Sequence, residues 1–467
     1  MSSQRKTLIC LIVCFAVVLG ILIGALAIML DRGVFSADTP TTQPTTMPTE
    51  PTTEPTTQPT TMPTEPTTEP TTVPTEPPVY KLGTASIASV GDFLMHLPVI
   101  NSADVQDGIY DFSSMFTYFG DYVAGADYAV GNLETTLAGT AYPYKGYPQF
   151  NCPDGIVSSV QAAGFDMLLT ANNHSYDTYS TGFLRTQQVI REFGMAHLGT
   201  VEDSSQPYWQ VVEINGIKIG MICYTYETED DPEKKALNGI PMNAQCAPLI
   251  ATFSYAHLDT FYEEMQVQIA QMEEAGAEAI MLYIHWGNEY ETRNNATQSA
   301  MAQELCDLGV DVIVGGHPHV VQPVQLLTSR NNAEEKTVCI YSLGNIVSNQ
   351  RREHMDLKTG HTEDGLMATV TFAKYSDGTV ILEAVKLLPT WVDLYEDAAR
   401  GKPSYAILPL DSQVEDWQTA FALTEERLAL AQASYARTMA IVGEGLQTVQ
   451  NYLAQLVWET ETALGIA

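Results

Sequence analysis

VDVIVGGHPH, residues 310–319, is an apolar, β-branched run that stops at two glycines and then presents two imidazoles. Val, Ile and Asp at this spacing with no proline predict a strand buried on both faces. The two glycines give backbone freedom where the strand ends, and His317 and His319 follow at once. The same grammar recurs four more times. Ala85–Val90 runs into Gly91-Asp92, Tyr128–Val130 into Gly131-Asn132-Leu133-Glu134, Met167–Leu169 into Ala171-Asn172-Asn173-His174, and Ala279–Ile284 into His285-Trp286-Gly287. In parallel α/β sheets such strand ends share one edge, the edge where ligands bind. Five separated segments are therefore expected to meet in one cleft.

Taken singly these residues say little, because a histidine after a strand is more often a satisfied polar side chain than a ligand. Jointly they say more: His174, His285, His317 and His319, four of the nine histidines, all fall at strand ends beside small residues. Oxygen and imidazole donors without thiolate suit one or two divalent ions, Mn, Fe or Zn. Between the strands, helical periods near Gly155–Ala163, Gly182–Phe193, Tyr255–Glu274 and Thr297–Leu308 complete an α/β alternation. Further strand-like runs are Ile217–Cys223, Val338–Tyr341 and Leu366–Phe372. Asn215-Gly216 and Ser376-Asp377-Gly378 are turn signals that add antiparallel pairs, so mixed sheets are expected. In residues 412–467, Leu446, Val449, Leu453 and Val457 form one face of an amphipathic helix. With Val414–Tyr435 this predicts a helical pair. The Tyr224–His257 connection is long and aperiodic, a candidate lid.

The first 79 residues read differently. Thr7–Leu30 is an apolar run of 24 residues, ~36 Å as a helix at ~1.5 Å per residue, enough to span a bilayer. Arg5 and Lys6 precede it, which puts that end in the cytoplasm and the rest outside, as a single-pass cell-membrane protein. The run is too long for a signal-peptide core, so an uncleaved anchor over 1–37 is expected. Residues 38–79 are almost entirely Thr, Pro and Glu, with the fifteen residues 41–55 repeated at 56–70. That composition predicts an extended stalk of up to ~130 Å at ~3.1 Å per residue. Folded domains are then expected over 80–410 and, as a helical extension, 411–467. The net charge of −34 repels nucleic acid and excludes it as a partner class. Seven cysteines, two of them inside the apolar run, show no paired spacing and no disulfide framework.

The ordered set Gly91-Asp92, Gly131-Asn132-Leu133-Glu134, Ala171-Asn172-Asn173-His174-Ser175-Tyr176-Asp177, His285-Trp286-Gly287-Asn288-Glu289-Tyr290, Gly316-His317-Pro318-His319 and Tyr341-Ser342-Leu343-Gly344-Asn345 resembles the signature of the CapA, or PGA-cap, family. The resemblance spans about 80–390. It implies a metallophosphoesterase-like (calcineurin-like) fold, a four-layer α/β sandwich of two mixed sheets flanked by helices. It implies Asp92, Asn132, Asn173, His285, His317 and His319 as the metal set, with Glu134 able to supply charge beside neutral Asn132, since the two share a face in extended chain. It implies His174 as general acid, with Asp177 the nearest candidate to orient it. Arg351, Arg352 and Trp286 are weaker candidates for contacting substrate. The chain departs from true phosphoesterases in two places: their Asp-x-His is Asp92-Phe93-Leu94 here, with His96 two residues too far on, and their bridging Asp is Asn132.

Two function classes follow from the resemblance. One is a metal-dependent hydrolase or transferase acting on a capsule polymer of poly-γ-glutamate type, or its precursor, during synthesis, transfer or export. The other is a stalked, non-catalytic scaffold among membrane-embedded polymer synthesis and export subunits.

Overall fold

The computed structural model describes residues 78–466 apart from 107, 232 and 233. The expected anchor, and the stalk up to residue 77, lie outside the described residues. Among the described residues no helix is long and apolar enough to cross a membrane.

Two mixed sheets, of eight and seven strands among the described residues, carry the expected runs. In the first, Lys81–Phe93, Tyr128–Leu133, Met167–Leu169 and Ala196–Leu198 are parallel. On the other side of Lys81–Phe93 the strands Asp364–Tyr375, Val380–Asp397 and Lys402–Pro409 continue antiparallel. In the second sheet Ile217–Tyr226, Ala279–His285, Val312–Gly316 and Lys336–Ile340 are parallel. Trp209–Ile214 joins them through the predicted hairpin, with φ of 52° at Asn215 and 81° at Gly216. Positive φ at both turn residues matches the right-handed twist of the strands and is why Asn-Gly suits the position.

Strand residues alternate between two cores. Ile87, Val130 and Met167 of the first sheet pack against Met221, Met281, Tyr283 and Val314 of the second. Their neighbours Ala88, Ala129 and Leu168 face outward onto Val99, Ile156, Val160 and Ile190 of the helices. On the far side Ile222, Leu282 and Ile313 meet Phe261, Met265, Met301 and Leu305. Because these strands run parallel, their C-terminal ends share one edge of each sheet.

The predicted C-terminal pair is instead a single helix, Glu425–Ala463, preceded by one short turn of helix at Trp417–Ala420. Thr424 caps it, accepting from the Arg427 N–H, and Glu425 and Glu426 sit in the first turn, where acids favour a helix start. Val442, Leu446, Val449 and Leu453 reach the core between the sheets, and Arg437 makes a bidentate pair with buried Asp364 at 2.7 and 2.9 Å. Gly445 does not interrupt this helix; it lets it approach, since a Cβ there would lie 1.9 Å from the Val324 carbonyl oxygen. A mid-helix Gly→Ala change normally stabilises by about 1 kcal/mol. Gly445→Ala is expected to destabilise by roughly 1–3 kcal/mol through overpacking. Gly443→Ala, whose Cβ would meet only Met439 Cε at 3.8 Å, should keep the normal gain. Paired thermal melts read the opposite signs.

Candidate metal centre

The parallel strands deliver their last side chains to one place. Asp92 is fully buried; Gly91 beside it permits close passage, because a Cβ there would lie 1.8 Å from the Gly344 carbonyl oxygen. Asp92 and Asn132 are register partners on adjacent strands, and the Asn132 amide donates to Asp92 Oδ1 at 2.8 Å. His285 ends its strand opposite Gly316, whose missing side chain leaves room between Asp92 and His285. His317 and His319 follow with φ of 94° and 56°, left-handed backbone that a histidine adopts only when its surroundings impose it.

Two groups of donors result, Glu134 with His317 and His319, and Asp92 with Glu134 and His285, the atoms of each lying within 4.8 Å of one another. Glu134 belongs to both. It is completely buried, and neither carboxylate oxygen has a hydrogen-bond partner. His317 Nδ1 is likewise unpartnered. Its nearest charge partners are His285 Nε2 at 3.5 Å and His319 Nε2 at 3.8 Å, neither making a hydrogen bond, and buried carboxylates are normally paired more closely or bound to a metal. The donor set could hold a divalent cation, and Glu134 belongs to either grouping. Of the two residues expected near the bridge, Asn132 spends its amide nitrogen on Asp92 and its oxygen on the Asn172 amide at 3.1 Å, which leaves Glu134 with free oxygens.

The electrostatics agree. Burial, with His285 and His319 adding to it, drives His317 well below the usual imidazole range, so a neutral lone pair is available. Burial would lower His319 too, but the charge of Glu134 and the hydrogen bond to Asp92 push it up to about 9. Burial would raise Asp92, yet His319, His285 and the Asn132 amide hold it below the usual carboxylate range. The cluster calls for positive charge, which a proton on His319 or a cation can satisfy in competition. His319 Nδ1 lies 3.1 Å from both Asp92 Oδ2 and Asn345 Oδ1, which leaves Nε2 on the Glu134 side at 3.8 Å.

Asn173 Oδ1 lies 2.8 Å from His285 Nε2, on the rim of the same cluster. His174 Nδ1 donates to Asp177 Oδ2 at 2.7 Å, and Phe150 lies edge-on to its ring at 4.6 Å. Burial opposes protonation of His174, but the Asp177 hydrogen bond and charge prevail and raise it. Asp177 is itself fixed by the Phe150 N–H at 2.6 Å.

Trp286, Arg351 and Arg352 are placed elsewhere. Trp286 is buried, stacked on Tyr341 and donating to its carbonyl at 3.0 Å. Buried Arg351 donates to the Val392 carbonyl and faces Glu363 at 3.6 Å, while Arg352 grips Glu363 at 2.7 and 3.0 Å. None of the three hydrogen-bonds to a side chain of the cluster.

His96, near the missing Asp-x-His position, accepts from the Asn349 N–H at 3.3 Å and packs against Phe150. Burial drops it from 6.5 to about 4. Between those values the unfolded chain binds the extra proton, so stability from this group falls as pH drops through that window. Urea unfolding of the chelated protein should show a weaker acid loss between pH 6.5 and 4 in His96→Gln than in wild type.

Sequence reasoning passed over Asn172, which ties Asn132 to the Leu133 carbonyl, and Asn345, which holds His319. It also passed over Asn238, at the tip of a hairpin formed by Ala236–Leu237 and Ile240–Pro241, which reaches Asn173 and His174. The turn dipeptide Asn238-Gly239 was the available signal.

Comparison with known proteins bears on the same segment. The chain is 26% identical over 315 residues to the capsule biosynthesis protein CapA of Bacillus anthracis, covering 65% of this chain and 67% of that one. It is 25% identical over 284 residues to the PGA biosynthesis protein CapA of Bacillus subtilis (strain 168), covering 58% and 65%. It thus spans about two thirds of the length of these relatives. A Termus thermophilus sulfate thiohydrolase SoxB in complex with glycerol aligns over 78% of this chain and 62% of that chain, at 12% identity and a TM-score of 0.33, too slight a likeness to carry any argument. The family model for the bacterial capsule synthesis protein PGA_cap matches residues 86–350, more than half of the chain and every strand end that feeds the cluster. This chain belongs to that family.

Proposed function

We propose that this protein is a metal-dependent hydrolase or transferase of metallophosphoesterase-like, four-layer fold, acting in synthesis, transfer or export of a capsule polymer of poly-γ-glutamate type. The observation that carries the reading is Glu134, a buried carboxylate with two free oxygens set among His285, His317, His319 and Asp92. Asp92, Glu134, His285, His317 and His319, with Asn173 at the rim, would hold one or two of Mn, Fe or Zn. A bound divalent cation supplies Lewis acidity and an activated water. The chain's own residues do the rest: Asp177 holds the His174 ring through Nδ1, leaving Nε2 to carry a proton to a departing group. The apolar run over 7–30 and the repeats over 38–79 would anchor the centre outside the membrane and hold it away from the surface, among membrane-embedded synthesis and export subunits.

One observation favours a second reading, a non-catalytic scaffold subunit. Buried Leu94 stands where the phosphoesterases' Asp-x-His has its histidine, and Asn132 brings no charge of its own. The test that separates the two is complementation of a deletion strain with the His174→Ala form. It is run beside an activity screen on phosphoesters and γ-glutamyl peptides with metal-stripped and metal-reloaded protein. Metal-dependent turnover and failed complementation support the enzyme. Full polymer output with no turnover supports the scaffold.

A further inference from the structure

We propose that Asn238 is a positioning residue of the centre, fixing which end of the Asn173 amide faces the cluster. The inference rests on the reading of Asn173 as a metal ligand. An asparagine amide has a donor end and an acceptor end of nearly equal shape, so something must choose between them. For Asn173 the choice decides whether an oxygen or two N–H donors point at the cation position. Its Oδ1 lies on the His285 side at 2.8 Å, and its Nδ2 donates outward to Asn238 Oδ1 at 2.9 Å. The outward bond is the contact that fixes the flip.

The other end of Asn238 lies beside the His174 ring. Its Nδ2 lies 3.2 Å from His174 Nδ1 and 3.5 Å from His174 Nε2. With Nδ1 donating to Asp177 and Nε2 carrying the acid's proton, neither ring nitrogen accepts from the Asn238 amide, so this is a packing contact, and Phe150 packs edge-on to the same ring. One side chain thus touches both the rim ligand and the candidate acid.

The chain builds Asn238 for this place. Asn238 and Gly239 have φ of 48° and 70°, the two positive values of a tight hairpin turn. The Gly239 N–H donates to Thr228 Oγ1 at 2.8 Å, which ties the tip to the loop that follows Ile217–Tyr226. Asn238 is exposed while Asn173 and His174 are buried, so it is the outermost member of this hydrogen-bonded set.

The test is a double-mutant cycle on metal affinity, using Mn²⁺ and Zn²⁺ titrated calorimetrically into chelated full-length protein. Asn238→Gly removes the amide and suits the positive φ, so the turn should survive; Asn238→Ala serves as a second variant, and melting curves check folding. Outer-shell partners typically contribute 10–100-fold to metal affinity. Asn238→Gly is expected to weaken binding about tenfold or more, by that comparison. The Asn173→Ala/Asn238→Gly double variant should bind no more than about threefold more weakly than Asn173→Ala alone, because the effect runs through Asn173. Wild-type affinity in both Asn238 variants, or losses that simply add, would overturn the assignment. Wild-type protein that takes up neither ion would instead overturn the metal-centre reading on which it stands.

Discussion

Glu134→Gln should abolish the rise in melting temperature that added Mn²⁺ or Zn²⁺ gives the wild type, while leaving the metal-free protein within about 1 kcal/mol of metal-free wild type. Ligand binding stabilises by RT ln(1 + [L]/Kd), about 2.7 kcal/mol at a hundredfold excess over Kd. Glu134 is the carboxylate common to both donor groups among the described residues, so its loss should weaken either of them. We expect affinity to fall by at least about 10²-fold, since a first-shell ligand should outweigh the 10–100-fold of an outer-shell partner. The metal-free fold should hardly notice, because neither Glu134 oxygen accepts a hydrogen bond that glutamine would break. His319 loses a charge neighbour at 3.8 Å but keeps Asp92 at 3.1 Å. Scanning fluorimetry with and without the ions reads both effects. An unchanged metal-dependent shift in Glu134→Gln would show that the carboxylate is not a ligand.

His174→Ala should show the opposite separation. Its Nδ1 is bound to Asp177, it lies in neither donor group of the cluster, and both side chains are buried. Removing a positioned general acid costs ~10²–10⁴-fold in rate. Metal content should stay at the wild-type level, and polymer output in a complemented deletion strain should collapse at normal protein abundance. Asp177→Asn should follow it more mildly, since the amide keeps the shape but not the charge that raises His174. Normal polymer output from His174→Ala would remove His174 from the reaction and favour the scaffold.

The strand ends were legible because each places chemistry beside glycine or another small residue at the point where an apolar run stops, a local pattern. Asn215-Gly216 was legible for the same reason. The Val380–Asp397 strand was signalled only by the Ser376-Asp377-Gly378 turn that precedes it. Lys386 and Pro389 break its apolar pattern, and it persists because Asp364–Tyr375 and Lys402–Pro409 pair with it on both sides. The fate of Arg351 and Arg352 was equally hidden. A basic pair on a loop offers itself to any anion, and Glu363 became its partner only when the chain folded back. Alternation put Asn132 and Glu134 on one face, but could not say which would keep free oxygens, because the competing amide of Asn172 comes from another strand end. Gly445 reads as a helix weakness until the Val324 carbonyl is set against it.

The central claim is that Glu134 would be a ligand of any divalent cation held by the cluster. Anomalous diffraction at the manganese or zinc edge, from crystals grown with that ion, tests it directly. The account predicts a peak at ~2.0–2.3 Å from Glu134, His317 and His319, or from Glu134, Asp92 and His285, or from both sets. A map with no peak beside Glu134 while its oxygens remain unpartnered would contradict it.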